Sequence, residues 1–160
     1  MSAKLPEYTV IRDTREQEGH GWFFHSHAPD RYPPRCKGMM IDTLSTGDYS
    51  LLGYEDILTI ERKQDFGELW TCFFDKKRFE AELERMKSFK YRLIVVESIL
   101  NHDMFNLTPP QCIRNMPGKA LMRWLTQIMI KYTVPIIYAG TAGRKVAQLY
   151  FEEVVKIERI

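Results

Sequence analysis

The sequence predicts an α/β fold, a mixed β-sheet with helices on both sides. Three observations predict it. Four short strand-like segments crowd the stretch up to residue 63. Helix and strand patterns then alternate toward the C-terminus. Between them, RLIVVE at residues 92–97 is apolar at consecutive positions, the pattern of a strand buried on both faces.

Taken in order, residues 8–11 are β-branched and apolar and read as the first strand, ending in the polar cluster of residues 12–17. Residues 19–37 mix Gly, His, Pro and aromatics without a period, and read as a long loop with one helical turn. Residues 38–43 read as a second strand, and residues 47–52 as a third. Gly53-Tyr54-Glu55-Asp56 has the composition of a hairpin turn into a fourth strand at residues 57–63.

Phe79, Leu83 and Met86 recur at spacings of four and three, which predicts a helix over residues 75–89. Residues 101–117 read as a loop with a short helix. Leu121, Trp124, Leu125, Ile128 and Met129 form the apolar stripe of a helix over residues 119–132, followed by a strand at 134–139. Gly140-Thr141-Ala142-Gly143 lacks the Gly-Lys-Ser/Thr ending of a P-loop and reads as the start of a last helix.

At 160 residues, with 44% hydrophobic and 28% charged, the composition is that of one ordinary globular domain, 1–160, without a disordered tail. A net charge of +2 diagnoses no nucleic-acid partner, so DNA binding must come from local basic patches. Cys36, Cys72 and Cys112 are dispersed and odd in number, which fits reduced structural thiols rather than a disulfide framework or zinc knuckle. No segment has the length and apolarity of a signal peptide or membrane helix, so the expected location is cytoplasmic, with no membrane partner.

The stretch that carries chemistry is Gly47-Asp48-Tyr49 followed, thirteen residues after Asp48, by Glu61-Arg62-Lys63. Alternate side chains of a strand share a face, so Glu61 and Lys63 point one way and Arg62 the other. If the third and fourth strands pair through the turn at 53–56, Asp48 and Glu61 meet at one end of the sheet. Two carboxylates suit a hard divalent cation that takes oxygen ligands, and a lysine beside them suits the charge of a phosphoryl transition state. This Asp…Glu-x-Lys pattern is that of restriction-endonuclease-like PD-(D/E)XK nucleases. Spacing alone does not separate it from charged residues at a solvated strand end.

The longer wording does. DTREQ at 13–17, GDYSL at 47–51, TIERK at 59–63, KKRFEAELERM at 76–86 and YRLIVVE at 91–97 occur in that order. Over residues 8–97 the chain resembles the ERCC4 (XPF-type) nuclease domain, whose signature is GDY followed by ERK. Its short form is similar to the single-domain bacterial and phage members. The resemblance implies a three-layer restriction-endonuclease-like fold and a DNA endonuclease using Mg²⁺ or Mn²⁺. It implies branched or partly single-stranded DNA as substrate, a role in DNA repair or recombination, and a homodimer.

By the same resemblance Asp48 and Glu61 are metal ligands and Lys63 is the catalytic lysine. Asp13 is a further ligand or an outer acceptor, and Glu16 a secondary candidate for that place. Arg62 and Arg15 match family arginines that hold acidic neighbours or phosphate. Arg78 matches an arginine of the following helix, and Lys76 and Lys77 join it as DNA contacts. One departure is an aspartate that the family places about four positions after the signature lysine. Here Asp65 follows Lys63 by two, and reads as a helix N-cap. The alternative is a silent member of the same fold that binds DNA or a partner. A related nuclease acting on RNA or plain duplex DNA is a third reading.

Weaker signals have plainer readings. His20, His25 and His27 suit a transition metal only on a strand, and read as loop histidines. Trp70, Phe73 and Phe74 resemble a base-stacking platform but have the spacing of a core or dimer face. The Arg31, Arg35 and Lys37 segment, and Lys87, Lys90 and Arg92, are candidate phosphate contacts that singly read as solvated surface.

Overall fold

A computed structural model describes residues 6–16, 19–27, 34–105 and 118–158. Six strands form one sheet: β1 (Glu7–Asp13), β2 (Arg35–Asp42), β3 (Tyr49–Leu51), β4 (Leu58–Lys63), β5 (Tyr91–Val96) and β6 (Ile136–Tyr138). Their order is β2-β1-β3-β4-β5-β6. β3 runs antiparallel to both β1 and β4, whereas β1 with β2 and β4 with β5 and β6 are parallel. The helices are α1 (Phe66–Phe74), α2 (Lys76–Met86), α3 (Gly118–Tyr132) and α4 (Gly143–Glu158). The mixed, helix-flanked sheet expected from the sequence is what forms.

β5 shows why its apolar run is unbroken. Ile94 and Val96 pack with α1, α2 and α3 on one face. Leu93 and Val95 pack on the other with Trp22, Phe24 and Phe151 of α4. Each face removes alternate side chains from water, so the strand needs no polar period.

The helix expected over residues 75–89 is shorter, and a separate helix precedes it. Asp65 caps α1, its Oδ1 accepting from the Glu68 amide at 3.0 Å, as its spacing suggested. Asp75 closes α1 and opens α2, with a backbone conformation outside the helical region. Trp70 and Phe73 are core residues of α1, while Phe74 is exposed and stacks on Trp70.

The segment after residue 19 contains no helical turn among the described residues; His27 instead bridges to Cys36 of β2. A short 3-10 turn at His102–Phe105 fits the helix expected in the 101–117 loop, of which residues 106–117 lie outside the described residues. Arg31 and Cys112 also lie outside them. No described helix is long and apolar enough to cross a membrane.

Candidate active site

Asp48 lies where β1, β3 and β4 meet. Its amide donates to Ile60 O at 2.9 Å, and its carbonyl accepts from the Asp13 amide at 2.8 Å. Beyond Ile60 the ladder to β3 ends, so the Arg62 amide needs another acceptor. Asp48 Oδ2 supplies it at 2.8 Å. The aspartate is thereby locked beside Glu61.

Gly47 makes this approach feasible. Its φ is +79°, and a Cβ there would stand 2.1 Å from Thr59 Oγ1 and 3.1 Å from Ile60 O. Gly47→Ala is therefore expected to lower folding stability by more than ~1 kcal/mol from backbone strain alone, with the collision adding to it. Urea unfolding reads this, and an unchanged midpoint would refute the account.

β4 separates its charges as the alternation predicts. Glu61 and Lys63 share a face, with Lys63 Nζ 2.8 Å from Glu61 Oε1 and 5.0 Å from the centre of the Phe79 ring. Glu61 is only 5% exposed, and its other oxygen, Oε2, is buried with no donor. An acceptor in that condition is costly unless a proton or cation serves it.

Arg62 points the other way. Its Nε donates to Glu97 Oε1, its Nη1 lies 3.3 Å from Glu16 Oε1, and its guanidinium stands 5.8 Å from the centre of the Trp22 ring. Trp22 Nε1 donates to the same Glu97 oxygen at 2.6 Å. The Arg62 side chain is 7% exposed, so its charge is engaged within the protein.

Asp13, expected as a further ligand or an outer acceptor, has both carboxylate oxygens occupied as acceptors. It is buried and absent from the cleft lining. Its Oδ1 accepts from the Leu44 amide at 2.8 Å, and its Oδ2 accepts from the Arg15 amide at 2.9 Å and from Arg15 Nε at 2.7 Å. Burial pushes its carboxyl up, but these donors outweigh burial and hold it below the usual carboxylate range. With both oxygens committed, Asp13 organises the 42–48 loop and orients Arg15.

Asp48, Glu61 and Lys63 open onto a cleft of about 480 Å³. Arg15, Glu16 and His20 line one part of it, and Arg78, Glu82 and Arg85 of α2 another. The α2 residues follow from helical phase: Phe79, Leu83 and Met86 enter the core, leaving 78, 82 and 85 together on the adjoining face. Lys76 and Lys77 are off the lining, and the Lys76 ammonium sits 3.6 Å from the centre of the Phe73 ring. Arg35 and Lys37 pair with Glu7, Lys87 with Glu84 and Lys90 with Glu158, while Arg92 donates to backbone carbonyls.

Sequence reasoning missed Glu82, Arg85 and Glu97. The core phase of α2 contained the signal for the first two; Glu97, beyond β5, is paired only by the tertiary fold.

The charges are unevenly compensated. Burial, then the repulsion of Glu16 and Glu82, push Asp48 up to about 7, although the Arg62 amide opposes the rise. Burial and Asp48 push Glu61 up to about 7, and burial and Glu61 push Glu82 up to about 8. For Lys63 burial favours the neutral form, but Glu61 and its neighbours overcome it and hold the amine charged.

Among the described residues no three His, Cys, Asp or Glu side chains are gathered into a ready metal-holding group, and this includes the loop histidines. Asp48 and Glu61 supply oxygen donors that repel one another, and Glu61 Oε2 is a buried acceptor that only a protonated neighbouring carboxyl or a cation could serve. That donor chemistry fits a hard divalent cation.

A sequence profile of the ERCC4 domain matches residues 12–148. The chain belongs to the ERCC4 domain family. No curated protein matches the sequence. Among solved structures, XPF from Aeropyrum pernix superimposes with a TM-score of 0.56 at 17% identity, covering 94% of this chain and 61% of that one. XPF from Aeropyrum pernix in complex with DNA superimposes with a TM-score of 0.56 at 18% identity, covering 94% and 66%. This ERCC4 chain thus spans about three fifths to two thirds of the XPF chains it matches. At such identity the likeness is one of fold, and it establishes the restriction-endonuclease-like architecture expected from the signature residues.

Proposed function

We propose that this ERCC4-family protein is a metal-dependent endonuclease that hydrolyses DNA phosphodiester bonds. One observation carries the reading: Asp48, Glu61 and Lys63 converge in a single cleft, with a buried carboxylate oxygen that no donor serves. Asp48 and Glu61 would hold Mg²⁺ or Mn²⁺, and such an ion, when bound, acidifies water and stabilises charge on the scissile phosphate.

The chain's own groups do the rest. Lys63, kept charged by Glu61, orients the attacking water and offsets the negative charge that grows on the phosphoryl oxygens. Arg15, Arg78 and Arg85 line the cleft and take backbone phosphates on either side of the cut. Arg62 is a positioning residue: its amide fixes Asp48, and its guanidinium ties the end of β4 to Glu16 and Glu97. Branched or partly single-stranded DNA is the proposed substrate, acted on inside the cell by a homodimer.

Cleavage of end-labelled flap, fork, single-stranded and duplex DNA tests this, with Mg²⁺, Mn²⁺ or a chelator. The expected result is cutting that requires metal and favours the branched substrates. DNA binding without cutting under all metal conditions would identify a silent subunit. Equal cutting of RNA would assign a different nuclease.

A further inference from the structure

Residues 20–25 lead from the cleft, on the α2 side of the sheet, to the α4 side. His20 is exposed and lines the cleft. Trp22 and Phe24 turn inward, where both pack against Tyr49. The Trp22 amide donates to Tyr49 Oη at 2.6 Å and its indole nitrogen to Glu97 at 2.6 Å, so the segment is held by backbone and side chain alike. Burial therefore alternates along it, and Phe23 and His25 are left outside.

Phe23 is 53% exposed, and its ring centre lies 4.5 Å from that of His25. A lone exposed apolar side chain calls for no explanation. Two rings in contact, open to water and carried on a segment that the core holds fixed, form a platform instead. An open ring face on a rigid support is what an unpaired base stacks on. A cation adjoins the platform. Arg144, at the start of α4, holds its guanidinium 5.9 Å from the centre of the Phe24 ring, the residue between Phe23 and His25. It donates to Gln148 at 3.1 Å and forms no ion pair among the described residues, so its charge is left for an anion. Continuity with the cleft is set by the chain itself. Phe23 follows His20 by three residues, a reach of at most ~11 Å.

We propose that Phe23 and His25, with Arg144 beside them, form a stacking track for the unpaired DNA strand that leaves the cleft. It rests on the reading of the cleft as a DNA-cleaving site. It goes beyond that reading by giving a preference for partly single-stranded DNA a physical source. The bases of a duplex stack on one another and offer no face to Phe23, whereas unpaired bases do. Phosphate contacts alone carry no such distinction.

Fluorescence anisotropy in chelated buffer tests it without reference to cleavage. The probes are labelled oligo-dT, an abasic strand of the same length, a duplex and a fork. Phe23→Ala is expected to weaken oligo-dT binding about fivefold or more, and to leave the abasic strand and the duplex within about twofold of wild type. Phe23→Trp is expected to bind oligo-dT at least as tightly as wild type. Phe23→Leu, apolar without a ring, is expected to bind it as weakly as Phe23→Ala. Arg144→Gln is expected to weaken oligo-dT and the abasic strand alike, and to lower the salt dependence by about one phosphate contact.

Circular dichroism checks the fold of each variant, and the exposure of Phe23 leaves the core untouched by its replacement. Wild-type affinity for oligo-dT in Phe23→Ala, or equal weakening on oligo-dT and the abasic strand, overturns the track. Fork binding by the same protein would then leave the cleft reading standing. Wild type that binds none of the four probes overturns both. A wild-type dimer that Phe23→Ala converts to monomer, with oligo-dT affinity unchanged, would assign the rings to contact between copies and overturn the track.

Discussion

Asp48→Asn is expected to lower the cleavage rate by about 10³-fold or more while leaving the protein folded and able to bind DNA. A bound cation contributes several kcal/mol of transition-state stabilisation, and each ~1.4 kcal/mol is a factor of ten in rate. Asparagine keeps one oxygen to accept from the Arg62 amide, so the end of β4 stays in place. What is lost is the charge. Lys63→Ala is expected to be as damaging to the chemical step, because Lys63 is the ammonium ion-paired to Glu61 in the cleft. DNA affinity should separate the two variants. Removing a carboxylate from the cleft relieves repulsion of phosphate, whereas removing Lys63 deletes a phosphate partner. Single-turnover cleavage beside equilibrium DNA binding reads both effects. An Asp48→Asn enzyme cutting within about tenfold of wild type would refute the assignment, since a lost cation ligand costs more than the ~1.4 kcal/mol that a tenfold change represents.

The parts of the site that were legible in the sequence are those fixed by strand geometry. Alternation alone places Glu61 and Lys63 together and Arg62 behind them, and the structure shows that separation. The short β3–β4 turn brings Asp48 to Glu61 because the hairpin leaves little choice of register. Asp13 shows the limit. Its neighbours in sequence leave it as a ligand or an outer acceptor, and one of the donors that engage it is the Leu44 amide, 31 positions away. Whether a carboxylate is open or consumed depends on such contacts, which local wording does not carry.

Glu97 is a similar case. It lies 35 positions from Arg62, and only the parallel pairing of β4 with β5 brings the two together. The pairing of β1 with β2 is likewise parallel, across a long connection that reads only as a loop. On α2, Lys76, Lys77, Arg78 and Arg85 are alike in composition. The rotation of the helix about its own axis decides which of them reach the cleft, and the core residues Phe79, Leu83 and Met86 set that rotation.

In chelated buffer the protein is expected to be more stable near pH 5 than near pH 8. The sign follows from three carboxyls whose folded values lie above their ordinary ones. Asp48 and Glu61 are pushed to about 7, and Glu82 to about 8, by burial and by one another. A carboxyl raised by folding contributes its stability below the unfolded value, near 4, and loses it as pH rises through the folded value. The loss therefore falls between about pH 5 and pH 8. Lys63, whose folded value is raised, keeps its contribution throughout this window. Asp13 is lowered, so its contribution disappears only in stronger acid. The three groups share one repulsion, so their effects do not add in full. A total on the order of 3 kcal/mol follows from a single carboxyl shifted by this much, or about 6–12 °C in Tm for a chain of this length. Glu61→Gln should flatten the profile and raise the Tm at pH 8, and thermal melts across the range measure it. A wild-type Tm that is level or rising from pH 5 to pH 8 would refute the repulsive cluster. The same Glu61→Gln protein should be more stable than wild type and slower at cleavage. A cluster of acids serving only the scaffold would move stability and activity together, whereas a site held at a cost to the fold moves them in opposite directions.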